Sequence, residues 1–154
     1  GDTRVSPELI KTAAGTNLLI HEIYQASDAV LKQNLKIISY EPHLHAPGTR
    51  MCLEAIWGYN IQTLSCVGYD HNWVRGYSYT DESAPLLPKG TMLHVTAWYD
   101  NSRGNRHNPD PDQWVGFGDR TVDEMGHAWM NVTYMTDEEY ATESAKQKKI
   151  QASR

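Results

Sequence analysis

The chain has 154 residues, a net charge of −5 and 40% hydrophobic residues, which predicts one domain with a sizeable core. Nucleic-acid binding is disfavoured, because the acidic balance comes without a basic cluster that interleaves with aromatic residues. The basic run at residues 146–149 is expected to be a solvated tail. No stretch of about 18 apolar residues occurs, so no transmembrane segment is expected.

The predicted elements begin with a short helix at residues 6–14, because Ser6-Pro7-Glu8 is a typical helix start. From the mid-thirties the pattern changes to strands and turns. Strands are predicted at residues 34–40 and on into His43, and at residues 51–57, 63–67, 73–79, 91–99 and 125–135. Residues 100–112 are rich in Gly, Pro, Asn and Asp and are expected to form a long loop.

Strand alternation separates two faces in residues 91–99. Leu93, Val95, Ala97 and Tyr99 share one face, and His94 lies on the more polar face, where it is expected to be exposed.

Many short strands with turn signals between them predict an all-β protein, an antiparallel β-sandwich. We divide the chain into a short non-β N-terminal extension at residues 1–33, the sandwich at 34–135, and a helical or extended tail at 136–154.

The two cysteines, Cys52 and Cys66, flank a predicted hairpin that turns around residues 58–60. Pairing Cys52 opposite Cys66 also places Glu54 opposite Leu64 and Ile56 opposite Gln62. Cross-strand neighbours lie close enough for a disulfide. A disulfide would favour an oxidising compartment; the alternative is two reduced thiols.

Two histidines, His43 and His45, lie two residues apart in a predicted strand, so both imidazoles project from one face. Met125 and His127 have the same spacing in the last strand. Two imidazoles and a thioether suit copper in both oxidation states, because the soft sulfur favours Cu(I). If the strands are neighbours, they form a candidate copper site. The alternatives are a core role for Met125 and, for His127, a fourth ligand, a site-lining residue or a hydrogen-bonded histidine.

The other histidines carry weaker signals. His107 lies in the long loop and is expected to stabilise a turn, with a role at the site as the alternative. His71 lies between Asp70 and Asn72, whose side chains are expected to bond the local backbone. The common hydrolase signatures and phosphate-binding glycine loops are absent.

A set of short motifs occurs in a fixed order along the chain. They are Pro42-His43-Leu44-His45, Glu54-Ala55-Ile56, Tyr69-Asp70-His71-Asn72-Trp73, Leu87-Pro88-Lys89-Gly90-Thr91, Trp98-Tyr99-Asp100-Asn101-Ser102, His107-Asn108-Pro109-Asp110-Pro111, Gly118-Asp119 and Glu124-Met125. Together they resemble the C-terminal domain of the copper type II, ascorbate-dependent monooxygenases, the superfamily of peptidylglycine α-hydroxylating monooxygenase and dopamine β-monooxygenase. The likeness is greater to bacterial proteins that carry this domain. It spans residues 34–135, and its specificity lies in the ordered set.

The resemblance implies a jelly-roll-like β-sandwich whose copper is held by His43, His45 and Met125. In the characterised enzymes this copper binds and activates dioxygen. A second copper, held by three histidines on a preceding domain, supplies an electron, and the substrate C–H bond is hydroxylated between the two.

Two features depart from the family pattern. Residues 1–33 contain only His21, so the electron-supplying copper site is not expected in this chain. Glu41 lies two residues before His43 and would repel a carboxylate, which disfavours a peptide C-terminus as substrate.

These observations lead to three hypotheses for the function. The first is an oxygen-activating site with one copper, acting with a protein partner that supplies electrons. The second is a non-catalytic periplasmic subunit of a larger redox or membrane complex, in which the copper site is structural or vestigial. The third is copper storage or delivery. A periplasmic or secreted location is expected for all three.

Overall fold

A computed structural model describes residues 30–153, and the helix predicted at residues 6–14 lies outside this range. The described elements are β1 (Asn34–Leu44), β2 (Gly48–Trp57), β3 (Asn60–Gly68), β4 (Tyr77–Ser78), β5 (Leu86–Leu87), β6 (Met92–Tyr99), β7 (Gly126–Met135) and helix α1 (Asp137–Ala152). Five of these strands, namely β1, β2, β3, β6 and β7, coincide with predicted strands, whereas β4 is much shorter than predicted and β5 was not expected from the sequence.

The strands form two antiparallel sheets. In one sheet, β7 pairs with one edge of β1, and the short strands β4 and β5 pair with its other edge. In the other, β2 lies between β3 and β6. Val30 adds a single bridge to Met92 at the start of β6. The two packed sheets confirm the predicted antiparallel β-sandwich.

The core lies between the sheets and consists of alternate residues of the central strands. Its first cluster is Tyr40, Leu44, Met51, Leu53 and Tyr99, and its second is Leu35, Ile37, Ala55 and Leu87. Each of these residues is at most 2% exposed. Burying side chains of this size stabilises a fold by about 1.5–3 kcal/mol each.

The alternation of β1 changes phase once, at a bulge between Ile37 and Ser39. Before the bulge, Leu35 and Ile37 face the core; after it, Tyr40 and Leu44 do. Ser39, Glu41 and His43, which alternate with these core residues, therefore point away from the core. We call that side of the β1–β7 pair the outer face.

The β2–β3 hairpin has a tighter turn than predicted. Trp57 pairs with Asn60, which leaves Gly58 and Tyr59 as a two-residue loop. Gly58 has a φ of 55°, as the first loop residue of a type II′ hairpin turn requires. This loop sets the register next to the turn: Ile56 pairs with Ile61, so the predicted partner Gln62 is wrong by one residue.

The cysteines at the far end of this hairpin are paired as predicted. Cys52 lies opposite Cys66, and the two form a disulfide. The register set by the turn would place Cys52 one residue away from Cys66. A bulge between Leu53 and Glu54 shifts the register by one residue and brings the cysteines opposite each other. On the turn side of the bulge, Glu54 pairs with Thr63 and not with Leu64 as predicted.

Helix α1 begins with a capping box, in which Thr136 accepts from the backbone N–H of Glu139 and the Glu139 side chain accepts from Thr136. The tail is therefore helical, as predicted. The expectation that the tail extends away from the body is wrong, because Lys36 bonds Glu143 at 3.1 Å and Gln147 donates to the carbonyl of Ala84. In the described part of the chain, no helix has the length and apolar character needed to cross a membrane.

Candidate metal centre

The predicted ligands come together because β1 and β7 are neighbours. His43 lies directly opposite His127 in the β1–β7 register. One pair further along, the His45 N–H donates to the Met125 carbonyl at 3.2 Å. Residues that alternate along a strand share a face, and directly opposed residues share it too. The two pairs therefore form a four-residue patch at one end of the outer face.

The imidazoles of this patch lie near one another. The ring centres of His43 and His45 are 5.5 Å apart, and those of His43 and His127 are 6.2 Å apart. With metal–nitrogen bonds of about 2 Å, two imidazoles on one ion have ring centres at most about 6.5 Å apart. Both spacings are within that limit.

His45 is oriented from behind by the segment that precedes β7. Its Nδ1–H donates to the carbonyl oxygen of Asp123 at 3.1 Å, because a carbonyl can only accept. In the neutral ring this leaves the Nε2 lone pair unprotonated and available to a ligand. His45 is 8% exposed, so its ring is held by its surroundings.

The Asp123 segment is itself braced. Arg120 Nε donates to Asp123 Oδ2 at 3.0 Å, and this pairing holds the pKa of the Asp123 carboxyl below its usual value. Glu124 is buried, and Asn101 Nδ2 donates to its Oε1 at 2.7 Å. The backbone around Asp123 is thus fixed before β7 begins.

A glycine lets β7 approach the other sheet beneath the patch. A methyl group on Gly126, between Met125 and His127, would lie 2.9 Å from the Tyr99 hydroxyl oxygen. That distance is too short for a real side chain, so glycine permits the close packing of β7 on β6.

The electrostatics of His43 keep its ring neutral. Burial lowers the pKa of His43 most, and the neighbouring His45 and His127 lower it further. Glu41 opposes these effects, but the net shift is downward. A neutral imidazole is the form that binds metal ions.

Trp129 fixes the ring plane of His43. Its indole stacks on the His43 imidazole with ring centres 4.7 Å apart and planes at 5°. Trp129 lies opposite Glu41 in the register and is 53% exposed. Strand alternation places Trp129 on the same face as His127, but this stacking depends on a register that the sequence did not reveal.

His71, a histidine outside the predicted ligand set, also influences this site. His71 acts electrostatically on His43 and lowers its pKa. The His71 Nδ1 atom is buried and has no hydrogen-bond partner. Its loop is held by the predicted bond from the Asn72 backbone N–H to the Asp70 side chain, at 2.9 Å. No spacing rule relates residue 71 to residue 43.

His107 has different neighbours. Its Nδ1 lies 3.2 Å from Asn72 Nδ2, and its Nε2 lies 3.8 Å from Asp70 Oδ1. Its backbone N–H donates to Asn105. These contacts agree with the predicted role in turn stabilisation and join two loops.

His94 differs from its predicted exposure. It is partly buried, and its Nδ1 lies 3.0 Å from Glu54 Oε2 across the β2–β6 pair. This pair is on the other sheet.

A cavity of about 420 Å³ lies beside the β1 strand end. It is lined by Pro42, Thr49, Gly68, Tyr69, Asp70, Trp73, Arg75 and Tyr77. The Tyr69 hydroxyl donates to the Leu44 carbonyl at 2.5 Å, which ties the cavity wall to the backbone between the two histidines.

Within residues 30–153, no group of three His, Cys, Asp or Glu side chains is arranged to hold a metal by itself. No family model matches the chain, and no curated protein or solved structure gives a significant match.

Proposed function

We propose that this chain binds one copper ion through His43, His45 and Met125 and acts as the oxygen-activating half of a copper hydroxylase. The observation that carries the proposal is the direct pairing of His43 with His127 and of His45 with Met125 on the outer face. Two nitrogen donors and one soft sulfur donor suit Cu(I) and Cu(II) alike.

Neighbouring residues orient the two imidazoles for metal binding. The Asp123 carbonyl fixes the tautomer of His45, and Trp129 fixes the plane of His43. The lowered pKa of His43 keeps its lone pair free at neutral pH. Copper bound to these donors would supply one-electron redox chemistry toward dioxygen.

Electrons would come from outside the described residues. Residues 30–153 contain no group of three His, Cys, Asp or Glu side chains placed to hold a metal ion, and hydroxylation with dioxygen consumes two electrons beyond those of the C–H bond. A protein partner or domain that delivers electrons to the outer face meets this need. The disulfide favours a periplasmic or secreted setting for both.

Copper carriage within a larger complex is the alternative, and it is favoured by the solvent exposure of residues beside the proposed ligands. His127 is exposed and Trp129 is half exposed, so an ion could pass to another protein directly. Ascorbate-dependent dioxygen consumption by the copper-loaded protein would favour catalysis over carriage.

The test is competitive Cu(I) titration of the wild type and a His43→Ala/His45→Ala double mutant. We expect one copper per chain in the wild type and no specific binding in the double mutant. Equal binding by the two proteins would exclude this site.

The matched control is His94→Gln, which removes a histidine from the other sheet. It should bind copper like the wild type. A loss of copper in this variant would mean that the titration reports a different site.

A further inference from the structure

Strand β7 has an outer edge without a partner in the described part of the chain. Its ten residues, Gly126–Met135, pair with β1 on one side only. The sequence Gly-His-Ala-Trp-Met-Asn-Val-Thr-Tyr-Met contains no Asp, Glu, Lys, Arg or proline. Natural proteins normally protect an edge of this length with charges, proline, bulges or a covering segment. This edge has no charge or proline of its own.

The backbone groups at this edge can be identified from the register. Ala128 lies opposite Pro42, which has no N–H. Pro42 and Ala128 therefore form a non-hydrogen-bonded pair of the antiparallel ladder, in which the N–H and C=O groups of each residue point away from the partner strand. The N–H and C=O groups of Ala128, and of Met130 two residues on, therefore point to the open edge.

The core beneath the edge is only partly covered. Ala128, Met130 and Val132 pack on the core clusters but remain partly exposed. At its far end the same inner face carries Tyr134, which pairs with the core residue Leu35 yet is 65% exposed, and on the outer face Trp129 is 53% exposed. A further strand beside β7 would cover this apolar surface.

Charge distinguishes this edge from that of β3. Arg50 Nη2 lies 2.9 Å from Cys66 Sγ, and the Glu54 carboxylate lies 3.4 Å from the Thr63 hydroxyl, so charged groups reach β3. The charges of β1 lie away from β7 instead. Glu41 Oε2 is next to Gly76, which precedes β4 on the opposite edge of β1.

We propose that a second copy of this chain pairs antiparallel with β7 along this edge and forms a continuous sheet across a two-fold axis. A copy offers the same ten-residue neutral edge, and a two-fold interface is self-complementary by construction. The chain carries a net charge of −5, so copies repel each other elsewhere and meet best along a neutral strip.

The register of this dimer follows from the strand alternation. Opposed residues must share a face, and the outward backbone groups must meet. Pairing Met130 with Val132 of the second copy satisfies both conditions over nearly the whole strand. It places Asn131, an exposed residue of the outer face, opposite itself on the two-fold axis.

The helix does not obstruct this interface. Helix α1 is anchored to Lys36 and to the carbonyls of Asp81 and Ala84, which lie toward β5 on the far side of β1. The interface needs no metal, although the strand that forms it also carries His127 and Trp129 beside the proposed copper site.

The experiment is light scattering after size exclusion on the wild type, Asn131→Lys, Asn131→Glu and an equimolar mixture of the two variants. We expect the wild type at twice its chain mass of 17.5 kDa. Each charged variant should be monomeric because like charges meet on the axis, and the mixture should recover the dimer because opposite charges meet there. A monomeric wild type at millimolar concentration would overturn the proposal, as would charged variants that stay dimeric.

Two controls keep the test specific. Asn131→Gln removes the asparagine without adding charge and should stay dimeric, and Thr63→Lys places a charge on the β3 edge and should stay dimeric too. A dimer broken by Thr63→Lys would assign the interface to β3 and overturn the proposal. Should the Asn131 variants misfold, hydrogen exchange on the wild type decides: the Ala128 and Met130 amides should become less protected on dilution. Protection that does not depend on concentration would place another segment on this edge.

Discussion

The two ends of the β1–β7 pair present different surfaces on the same outer face. At the His43 end, the imidazoles and the Met125 position are grouped together, and their ring nitrogens are mostly not engaged by protein groups. At the Lys36 end, the charged group of the strand is paired. Lys36 bonds both Asp81, at 2.9 Å, and Glu143, at 3.1 Å, and so anchors helix α1.

The difference separates groups that stabilise the fold from groups that are open to a ligand. Lys36 is 8% exposed, and a buried charge is costly unless it is paired. Burial lowers the pKa of His43, and a neutral nitrogen can remain unpaired at lower cost than a charge and keep a lone pair for an ion. Substitutions at the two ends should therefore affect different properties.

The largest effect should follow His43→Ala. Loss of a ligand should weaken Cu(I) binding by more than the roughly 10–100-fold that loss of a supporting residue costs at metal sites. The melting temperature of the metal-free protein should change little, since His43 is not in the core. Competitive chelator titration and thermal unfolding would measure the two quantities. A large loss of stability with unchanged copper affinity would show that His43 stabilises the fold and does not bind copper.

Lys36→Met should have the opposite profile. It leaves Glu143 without its cation and should lower the free energy of unfolding by about 2 kcal/mol, as for other partly buried pairs that lose one member. Copper affinity should stay at the wild-type value, because the two ends of the strand are independent. Urea unfolding by circular dichroism gives the stability. Stability equal to that of the wild type would show that the helix is held by other contacts.

Trp129→Leu should have an intermediate effect at the histidine end. Without the stacked indole, the His43 ring can rotate, and copper affinity should fall about tenfold, within the range for supporting residues. The matched control is Tyr59→Leu, which removes a fully exposed aromatic ring at the β2–β3 turn of the other sheet. If both variants lose affinity equally, the stacking has no specific role.

The smallest effect should come from mild acid at the helix end. Hydrogen bonds from Lys36, from Lys89 with Asn34, and from the Thr136 backbone lower the pKa values of Asp81, Asp137 and Glu139, respectively. A carboxyl with a depressed pKa stabilises the fold fully above its unfolded pKa of about 4, and this contribution is lost as the pH falls through the folded value.

The start of α1 should therefore loosen below about pH 4, while the core strands stay protected. Amide exchange of the helix between pH 6 and pH 3, corrected for intrinsic rates, measures this. Uniform protection across the helix throughout that range would show that these ion pairs do not hold it.

The attachment of helix α1 through Lys36 should weaken only at high pH. Burial lowers its pKa, but the hydrogen bonds to Asp81 and Glu143 outweigh this and leave the net pKa above 10.5. The stabilisation by Lys36 is therefore complete below that value and is lost only as the pH rises through the higher folded pKa.

The long strands could be predicted because each has one face against the core. In β6, Leu93, Val95 and Ala97 pack inward and Tyr99 is buried, as the alternation indicates. The two-residue strands β4 and β5 could not be predicted, because they exist only through pairing with residues of β1. Their local sequences carry no period to detect.

The candidate site was predictable in its members but not in its supports. The spacing of two residues placed His43 with His45 and Met125 with His127. Whether those pairs meet depends on the β1–β7 register, which is set by contacts more than 80 residues apart along the chain. Tertiary structure alone also brings the Asp123 carbonyl, the Trp129 indole and His71 to the histidines.

X-ray absorption of the Cu(I)-loaded protein, compared with Met125→Leu, shows whether sulfur binds the metal. We expect a sulfur scatterer beside imidazole nitrogens in the wild type, and its loss in the variant, in which the leucine conserves the side-chain volume. A wild-type spectrum without sulfur, or a sulfur signal that persists in Met125→Leu, would contradict a copper site built from His43, His45 and Met125.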